Sequence, residues 1–380
     1  MVGEFLLRIC QSYSIFLGVS SYFRVSKNYR ETWLTRGYVL VVNALTLSLL
    51  PLVFWLSAQY VRIASWFPNL LTYTTYILYT VSYATIAYTL ISRSCRDKAL
   101  LEVDRIVQRL NRKIAQDVRI GQSVGSRLGH LHSLKLGSVL FVCVASFLAC
   151  LTIPNTPKLS VLLCVFLYSN AKNIPLLAVY RYYLALWDIA CCYQYLNKQL
   201  AQLLHLDRGI QDTPSRRQLE QLQHLWMLHS LLTRCTQRLN KIYGLLMLAA
   251  RFDNLAFFAI NTYWGIVFSF SVKAPFYVTL FGASNYYVHL LDFYLLNFMC
   301  DQTMWYQSAI RHSLSEGHWS REVNAFVLYA CTSKLDFWVC GLYKVNRRSW
   351  FQMQISIITF SILLLQFHLL HNSLSKLAYK

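Results

Sequence analysis

Long apolar runs with few charges recur along this chain and constrain its fold more than any other feature. A helix needs about 20 such residues to cross a hydrocarbon core about 30 Å thick. Runs such as VLVVNALTLSLLPLVFWLSAQY exceed the segments of about ten alternating residues that β-barrel strands show. We therefore predict an all-α membrane protein with seven transmembrane helices. The predicted spans cover residues 37–61, 68–92, 136–157, 159–180, 252–272, 274–300 and 349–371.

The composition and the placement of charge agree with a multi-span membrane protein. Of the 380 residues, 56% are hydrophobic and only 14% are charged, which is too little polar surface for a soluble globule of this size. The net charge of +20 comes from basic residues that cluster before Arg36 and in 93–135, 181–241 and 301–348. Because basic loops stay in the cytosol, we predict a cytosolic N-terminus and an extracellular C-terminus, the inverse of a G-protein-coupled receptor. The charge also favours contact with anionic membrane lipids, and no nucleic-acid partner is expected.

The long segments on the predicted cytosolic side are themselves helical in pattern. In LEQLQHLWMLHSLLTRCTQRLNKIYG, apolar residues recur every three or four positions, as on one face of a helix. We expect spans four to six to extend into the cytosol as a helical anchor. A short apolar segment before Phe23 is expected to form a cytosolic or interfacial helix.

Two lines of side chains run along opposite faces of the last predicted span. The first line comprises Gln352, Ser356, Thr359, Leu363, Gln366, Leu370 and Ser373, and the second comprises Gln354, Ser361 and His368. A face of small and polar groups fits a helix that lines an aqueous path, where leucines supply a hydrophobic constriction. A polar line also fits packing against the chain's own helices through interhelical hydrogen bonds. Periodicity leaves both interpretations open for each line.

Two motifs near the C-terminus match a known family. The stretch CGLYKVNR, Cys340 to Arg347, precedes TFSILLLQF, Thr359 to Phe367, inside the last span. Together they resemble the C-terminal signature of insect gustatory receptors, in which Thr-Tyr and five mostly hydrophobic residues are followed by Gln-Phe. Phe360 stands where the family usually has tyrosine, so the ring is kept and a hydroxyl is lost. The motif residues are Gly341, Asn346, Arg347, Thr359, Phe360, Gln366 and Phe367.

The resemblance implies a ligand-gated, non-selective cation channel that detects tastants by contact and assembles as a homo- or heterotetramer with other gustatory receptors. It implies a multi-pass protein of the plasma membrane of sensory neurons, in dendrites, axons and cell bodies, with no enzymatic activity and no cofactor. By this resemblance, residues 1–300 hold the N-terminal segment and a six-helix ligand-sensing bundle, 301–348 the anchor region, and 349–380 the pore helix and a short extracellular tail. The resemblance also implies a cytosolic helix over about 322–342 within the anchor region. The implied pore and gate residues are Thr359, Leu363, Gln366, Phe367 and Leu370.

The residue that follows Thr359 and Phe360 bears on the ligand class. Sugar receptors of the family tend to carry glutamate after the Thr-Tyr pair, whereas this chain has Ser361, which favours a bitter or other aversive compound. A sugar-sensing channel and a metabotropic, G-protein-coupled chemoreceptor are the alternatives.

Aromatic residues mark a candidate ligand site within the first six spans. Aromatic walls with a few amides suit a moderately apolar ligand, although tyrosine and tryptophan are also common at membrane interfaces in general. The candidate residues are Tyr73, Tyr76, Tyr79, Tyr83, Tyr263, Trp264, Tyr277 and Asn285.

Lys172 and Asp292 are the charges set deepest in otherwise apolar windows. Ionisable residues in a membrane are costly and mark functional or structural pairs. We expect either a pair between spans four and six, or a lysine that extends to the cytosolic side. Other chemistry has weak support: GQSVG (121–125) fits a nucleophile elbow but no strand precedes it, and His130 with His132 lacks further metal ligands nearby.

Overall fold

The computed structural model describes residues 2–25, 28–63, 69–116, 118–148, 159–207, 216–271, 276–315 and 321–378. Helices make up most of this part of the chain, which confirms the prediction of a helical fold. The helices are α1 (Val2–Phe16), α2 (Trp33–Ile63), α3 (Asn69–Ile91), α4 (Arg93–Gln116), α5 (Val118–Leu148), α6 (Leu159–Asp207), α7 (Arg216–Ser271), α8 (Phe276–Ser315), α9 (Arg321–Thr332) and α10 (Arg347–Ala378).

Five helices in the described residues are long and apolar enough to cross a membrane. The stretches are Trp33–Gln59, Leu128–Ser146, Leu162–Leu203, Arg216–Val267 and Arg347–Leu370. The two other predicted spans, 68–92 and 274–300, fall largely on α3 and α8. A protein with several membrane-spanning helices is thus supported, while the count of seven and the orientation of the termini stay predictions.

The middle helices run well past their predicted spans. The 56 residues of α7 make a helix about 84 Å long at 1.5 Å per residue, more than twice the thickness of a hydrocarbon core. Helices α6 and α8, of 49 and 40 residues, are also longer than a bilayer requires. The predicted helical extensions of these spans are therefore present, and their cytosolic placement stays a prediction.

Helix α6 lies at the centre of the bundle and packs against α2, α3, α4, α5, α7 and α8. Its large side chains, including Tyr180, Tyr182, Tyr183 and Tyr193, are almost fully buried. Buried tyrosines need partners for their hydroxyl groups. The Tyr183 hydroxyl donates to the carbonyl oxygen of Leu131 at 3.1 Å. Most of the helix after Tyr168 is buried or half-buried, and it forms the core of the fold.

Two short antiparallel hairpins interrupt the helices of the described chain: β1 (Phe23–Val25) with β2 (Asn28–Arg30), and β3 (Trp338–Val339) with β4 (Tyr343–Lys344). The predicted helix over about 322–342 is wrong in its second half, because α9 ends at Thr332. The β3–β4 turn uses left-handed backbone at Cys340 and Gly341, with φ angles of 49° and 71°. Glycine adopts such angles without steric strain, which explains the glycine of the motif.

Helix α10 follows this hairpin directly and packs against α7 and α8. The bundle therefore holds the last helix on one side, and much of the other side of α10 is exposed.

Candidate functional site

The motif residues Asn346 and Arg347 fix the start of α10. The backbone N–H of Ser349 donates to Oδ1 of Asn346 at 2.7 Å, and the Asn346 N–H donates to Oγ of Ser349 at 3.3 Å. This reciprocal cap satisfies two donors that a helix start otherwise leaves unpaired. Nε of Arg347 donates to Oδ2 of Asp301 at 2.9 Å, which ties the helix start to α8. The motif thus has a structural role at the base of the last helix.

Replacing Asn346 with alanine is expected to lower the stability of the protein by about 1 kcal/mol, because α10 loses its N-cap. The Asn346→Asp variant keeps a side-chain oxygen for the Ser349 N–H and should match the parent. The thermal midpoint of detergent-solubilised protein, followed by size-exclusion chromatography, measures the difference. An alanine variant as heat-stable as the aspartate variant would contradict a capping role.

Arg251 of α7 also holds the base of α10. Its Nη2 donates to the carbonyl oxygen of Ser349 at 3.0 Å, and its guanidinium lies 4.0 Å from the ring centre of Tyr343. Burial raises the pKa of Tyr343 to about 12, against the opposing effect of the nearby arginine. The tyrosine is therefore neutral at physiological pH, and the contact is a cation–π contact with an uncharged ring.

The two side-chain lines of α10 have different environments. Ser361 and His368 of the second line are buried against the bundle, as are the neighbouring Met353 and Ile357. Gln366 lies about 180° around the helix from Ile357 at 3.6 residues per turn. The candidate pore residues Thr359, Leu363, Gln366, Phe367 and Leu370, together with Phe360, are all exposed. The second line is thus the packing face, and the described side chains of the first line point away from the chain's own helices. The side chain of Ser373 lies outside the described residues.

Two polar contacts hold the packing face to α7. The Ser361 hydroxyl donates to the carbonyl oxygen of Ala259 at 3.1 Å. Further along, the hydroxyl of Tyr263 and Nδ1 of His368 share a hydrogen bond of 3.0 Å. These contacts satisfy polar groups that would be costly in an apolar interior.

The four candidate tyrosines of α3 lie in two environments. Tyr73 and Tyr76 are exposed, the former by 66%. Tyr79 stacks on Phe54 at 4.9 Å between ring centres, within the main core cluster. Tyr83 is partly buried and donates to the α2 backbone. The first pair is therefore accessible at the chain surface, whereas the second pair also serves packing between α2 and α3.

The candidate residues of α7 and α8 lie near the same end of the bundle. Tyr263 is fully buried in its contact with α10, and Nε1 of Trp264 donates to Oγ1 of Thr74 on α3 at 3.2 Å. Oδ1 of Asn285 is buried and has no hydrogen-bond partner among the described residues. The side chain of Tyr277 lies outside the described residues.

The expected pair between Lys172 and Asp292 is wrong, because each residue has a different partner. Nζ of Lys172 lies 3.4 Å from Oδ1 of Asp253 on α7, and both side chains are slightly accessible. Asp292 pairs with Lys135 of α5 at 2.7 Å, where the lysine side chain is 0% and the aspartate side chain 7% exposed. The Ser138 hydroxyl donates to the same aspartate at 2.8 Å. Two separate ion pairs therefore cross-link the bundle.

Sequence reasoning missed Lys135 and Asp253 as members of these pairs. Lys135 lies one residue before the predicted window 136–157, and Asp253 is the second residue of 252–272. Both residues lie at the edge of a predicted window, and both windows begin later than the helices do. The signal that marks them is an unmatched charge near a span, which calls for a partner elsewhere.

The other candidate chemistry has no geometric support in the described chain. The GQSVG stretch lies within α5, so the strand and turn of a nucleophile elbow do not precede it. His132 lies against Trp187, with 4.8 Å between ring centres. Among the described residues, no group of three or more potential ligands is placed to hold a metal ion.

Comparison with known proteins shows the family. A family model described as 7tm Chemosensory receptor matches residues 7–371, which is nearly the whole chain. The chain belongs to this chemosensory receptor family. Its resemblance to insect gustatory receptors is also confirmed, since its curated relatives carry that name. The family is one of multi-pass membrane receptors rather than of enzymes.

Two relatives of this chemosensory receptor are gustatory receptors of flies. Gustatory receptor 59b of Drosophila erecta is 33% identical over 303 residues, which are 80% of this chain and 50% of the relative. The gustatory receptor for bitter taste 22e of Drosophila melanogaster is 26% identical over 215 residues, which are 54% of this chain and 52% of that receptor. The chain thus spans about half the length of the curated relatives it matches.

A solved structure shares the fold of this chemosensory receptor. The insect olfactory receptor OR5 from Machilis hrabei, solved in complex with eugenol, matches with a TM-score of 0.66 over 96% of this chain and 99% of that chain. The same receptor solved without that ligand matches with a TM-score of 0.63 over 96% of this chain and 99% of that chain. The sequence identity is 12% in both cases, so the likeness establishes the fold alone.

Proposed function

We propose that this gustatory receptor is a ligand-gated, non-selective cation channel for contact chemosensation of bitter or other aversive compounds. Four subunits, identical or drawn from several gustatory receptors, surround one pore lined by α10. The protein works in the plasma membrane of sensory neurons, including dendrites, axons and cell bodies. Its N-terminus is cytosolic, seven helices span the membrane, and its C-terminus is extracellular.

One observation carries this proposal, namely the exposure of the motif face of α10. Thr359, Gln366 and Phe367 point away from the chain's own helices, although an amide in a membrane needs a polar neighbour or water. A pore shared between subunits supplies that water. The exposed Leu363 and Leu370 on the same side supply the apolar ring that closes such a pore.

The ligand site is proposed between α3, α7 and α8, and its residues support recognition of a partly apolar compound. Tyr73, Tyr76 and Trp264 offer aromatic surface. Oδ1 of Asn285, which has no partner within the described part of the chain, accepts a hydrogen bond from a ligand N–H or O–H group. The Drosophila melanogaster relative is named as a receptor for bitter taste, which favours a bitter compound over a sugar. A bound ligand opens the channel because it binds the open state more tightly than the closed state.

The test is whole-cell recording from cells that express this chain, alone and with other gustatory receptors. Caffeine, quinine, denatonium and sucrose are applied in turn, with sodium replaced by an impermeant cation as a control. We expect an inward cation current that appears with a bitter compound and persists when G-protein signalling is blocked.

Two variants connect the current to α10. Gln366→Ala should change conductance or gating, because it removes the amide from the proposed pore face. Ile358→Ala is the control, since Ile358 is also exposed but belongs to neither line of side chains. A response carried only by second messengers, and unchanged by Gln366→Ala, would contradict the channel and favour a metabotropic receptor. A current evoked by sucrose alone would instead reassign the ligand class.

A further inference from the structure

We propose that the hydrogen bond between Tyr263 of α7 and His368 of α10, here named the coupling bond, links the ligand-sensing bundle to the pore helix and sets the closed–open equilibrium. This inference rests on the proposed function, since only a channel has such an equilibrium. The two side chains are buried and their polar atoms lie 3.0 Å apart. A buried polar group that loses a hydrogen bond is costly, so this contact is either formed or broken rather than gradually weakened.

The contact between α7 and α10 changes character along its length. Near the start of α10, Met353 and Ile357 pack in an apolar cluster with phenylalanines of α7 and α8. Further along, the contact becomes polar, with the Ser361 hydroxyl on the carbonyl oxygen of Ala259 followed by the coupling bond. Apolar packing is not directional, whereas a hydrogen bond weakens steeply when its angle or distance changes. The polar part is therefore the part that responds to a small relative movement.

The same turn of α7 also contacts the helix that carries candidate ligand residues. Trp264, next to Tyr263, donates from Nε1 to Oγ1 of Thr74 on α3 at 3.2 Å. Tyr73 and Tyr76 flank this position on α3. Neighbouring residues on a helix point about 100° apart, so this turn touches α3 on one side and α10 on the other. A ligand that moves α3 therefore acts on the turn that holds the coupling bond.

On the pore helix, the coupling bond lies beside the proposed gate. His368 follows Gln366 by two positions, which places the two side chains about 200° apart on nearly opposite faces. The histidine points into the bundle, and the glutamine points away from it. Any rotation of α10 that changes the coupling bond turns Gln366 through the same angle. Tyr263 and His368 are thus positioning residues that act through the gate residues and need no contact with the permeating ion.

The test is a double-mutant cycle on the full chain, with agonist-free open probability and the half-maximal concentration of the most active bitter compound of the panel as readouts. We expect Tyr263→Phe and His368→Leu each to change both readouts about three- to tenfold in the same direction, which is the effect of one hydrogen bond. The double variant should change them no more than one single variant does, because both remove the same bond. Single-channel conductance should stay constant.

Two variants control for indirect effects. His368→Asn places an amide oxygen or nitrogen near the position of Nδ1 and should retain the parent readouts. Tyr183→Phe removes a similar buried bond, from Tyr183 to the carbonyl oxygen of Leu131 at 3.1 Å, far from α10. This control should also match the parent, since its bond joins α6 to α5.

The outcomes separate the coupling from the channel itself. A parent chain that reaches the surface and carries no cation current overturns the proposed function and the coupling together. Normal parent currents with unchanged single variants, or with single effects that multiply in the double variant, overturn the coupling alone. An equal shift in Tyr183→Phe also overturns it. If His368→Leu fails to reach the surface, a shift in Tyr263→Phe with none in His368→Asn supports the coupling, and any other result for that pair overturns it.

Discussion

Replacing Asp292 with leucine is expected to remove most of the receptor from the cell surface. The substitution leaves the ammonium group of Lys135 fully buried without the carboxylate that lies 2.7 Å away. Removal of one partner from a buried pair costs about 3–5 kcal/mol, a large share of a total stability of about 5–15 kcal/mol. Surface biotinylation and the thermal midpoint of the solubilised protein measure the loss.

The same pair predicts a rescue. Combining Asp292→Leu with Lys135→Met removes both charges and should restore much of the surface level, because an apolar pair of similar volume avoids burying an unpaired charge. Glu102→Leu is the matched control, since its pair with Arg238 at 2.8 Å is exposed and such pairs contribute only about 0–1 kcal/mol. A double variant as poorly expressed as Asp292→Leu would show that the pair is needed for more than charge balance.

Replacing Gln366 with lysine is expected to reduce the cation current at least about tenfold without loss of surface protein. In the proposed tetramer, this substitution adds four positive charges around one axis. Two unit charges about 8 Å apart repel by about 2 kcal/mol at an effective dielectric constant of 20, and about 1.4 kcal/mol already corresponds to a factor of ten. Single-channel recording and surface labelling measure the two effects separately.

The matched control for this lysine is Gln366→Glu, which has the size of glutamine and the opposite charge. A negative ring attracts cations, so the current should be kept or increased, and the share carried by divalent cations should rise. Equal conductance in the lysine and glutamate variants would place Gln366 outside the permeation path. The variants therefore test the pore face directly, whereas Gln366→Ala tests it only through gating or size.

The helices could be predicted well from hydropathy, but their ends could not. The window 349–371 lies within α10, and 37–61 lies within α2, because apolar side chains mark these spans. The mean hydropathy of α7 is low before residue 252, although the helical spacing of apolar residues continues there. The predicted helix over about 322–342 failed because α9 ends at Thr332 and the chain then forms the β3–β4 hairpin, whose turn needs left-handed backbone at both Cys340 and Gly341.

In the candidate site, too, the positions of polar residues along a helix could be predicted from the sequence, whereas their partners on other helices could not. The sequence predicted two faces for α10, and only the packing of Ser361 and His368 against α7 identified the inner one. Lys172 could be singled out by its place in an apolar window. Its partner Asp253 could not, since pairing depends on which helices become neighbours in the folded bundle.

These distant pairs also impose an order on biosynthesis. Lys135 is translated 157 residues before the aspartate that neutralises it, and Lys172 precedes Asp253 by 81 residues. At a synthesis rate of about 5–20 residues per second, α5 waits roughly ten to thirty seconds for its partner. Throughout that interval, a cationic helix lacks the carboxylate that makes it compatible with lipid. The partner of Lys135 is therefore absent until α8 has been synthesised.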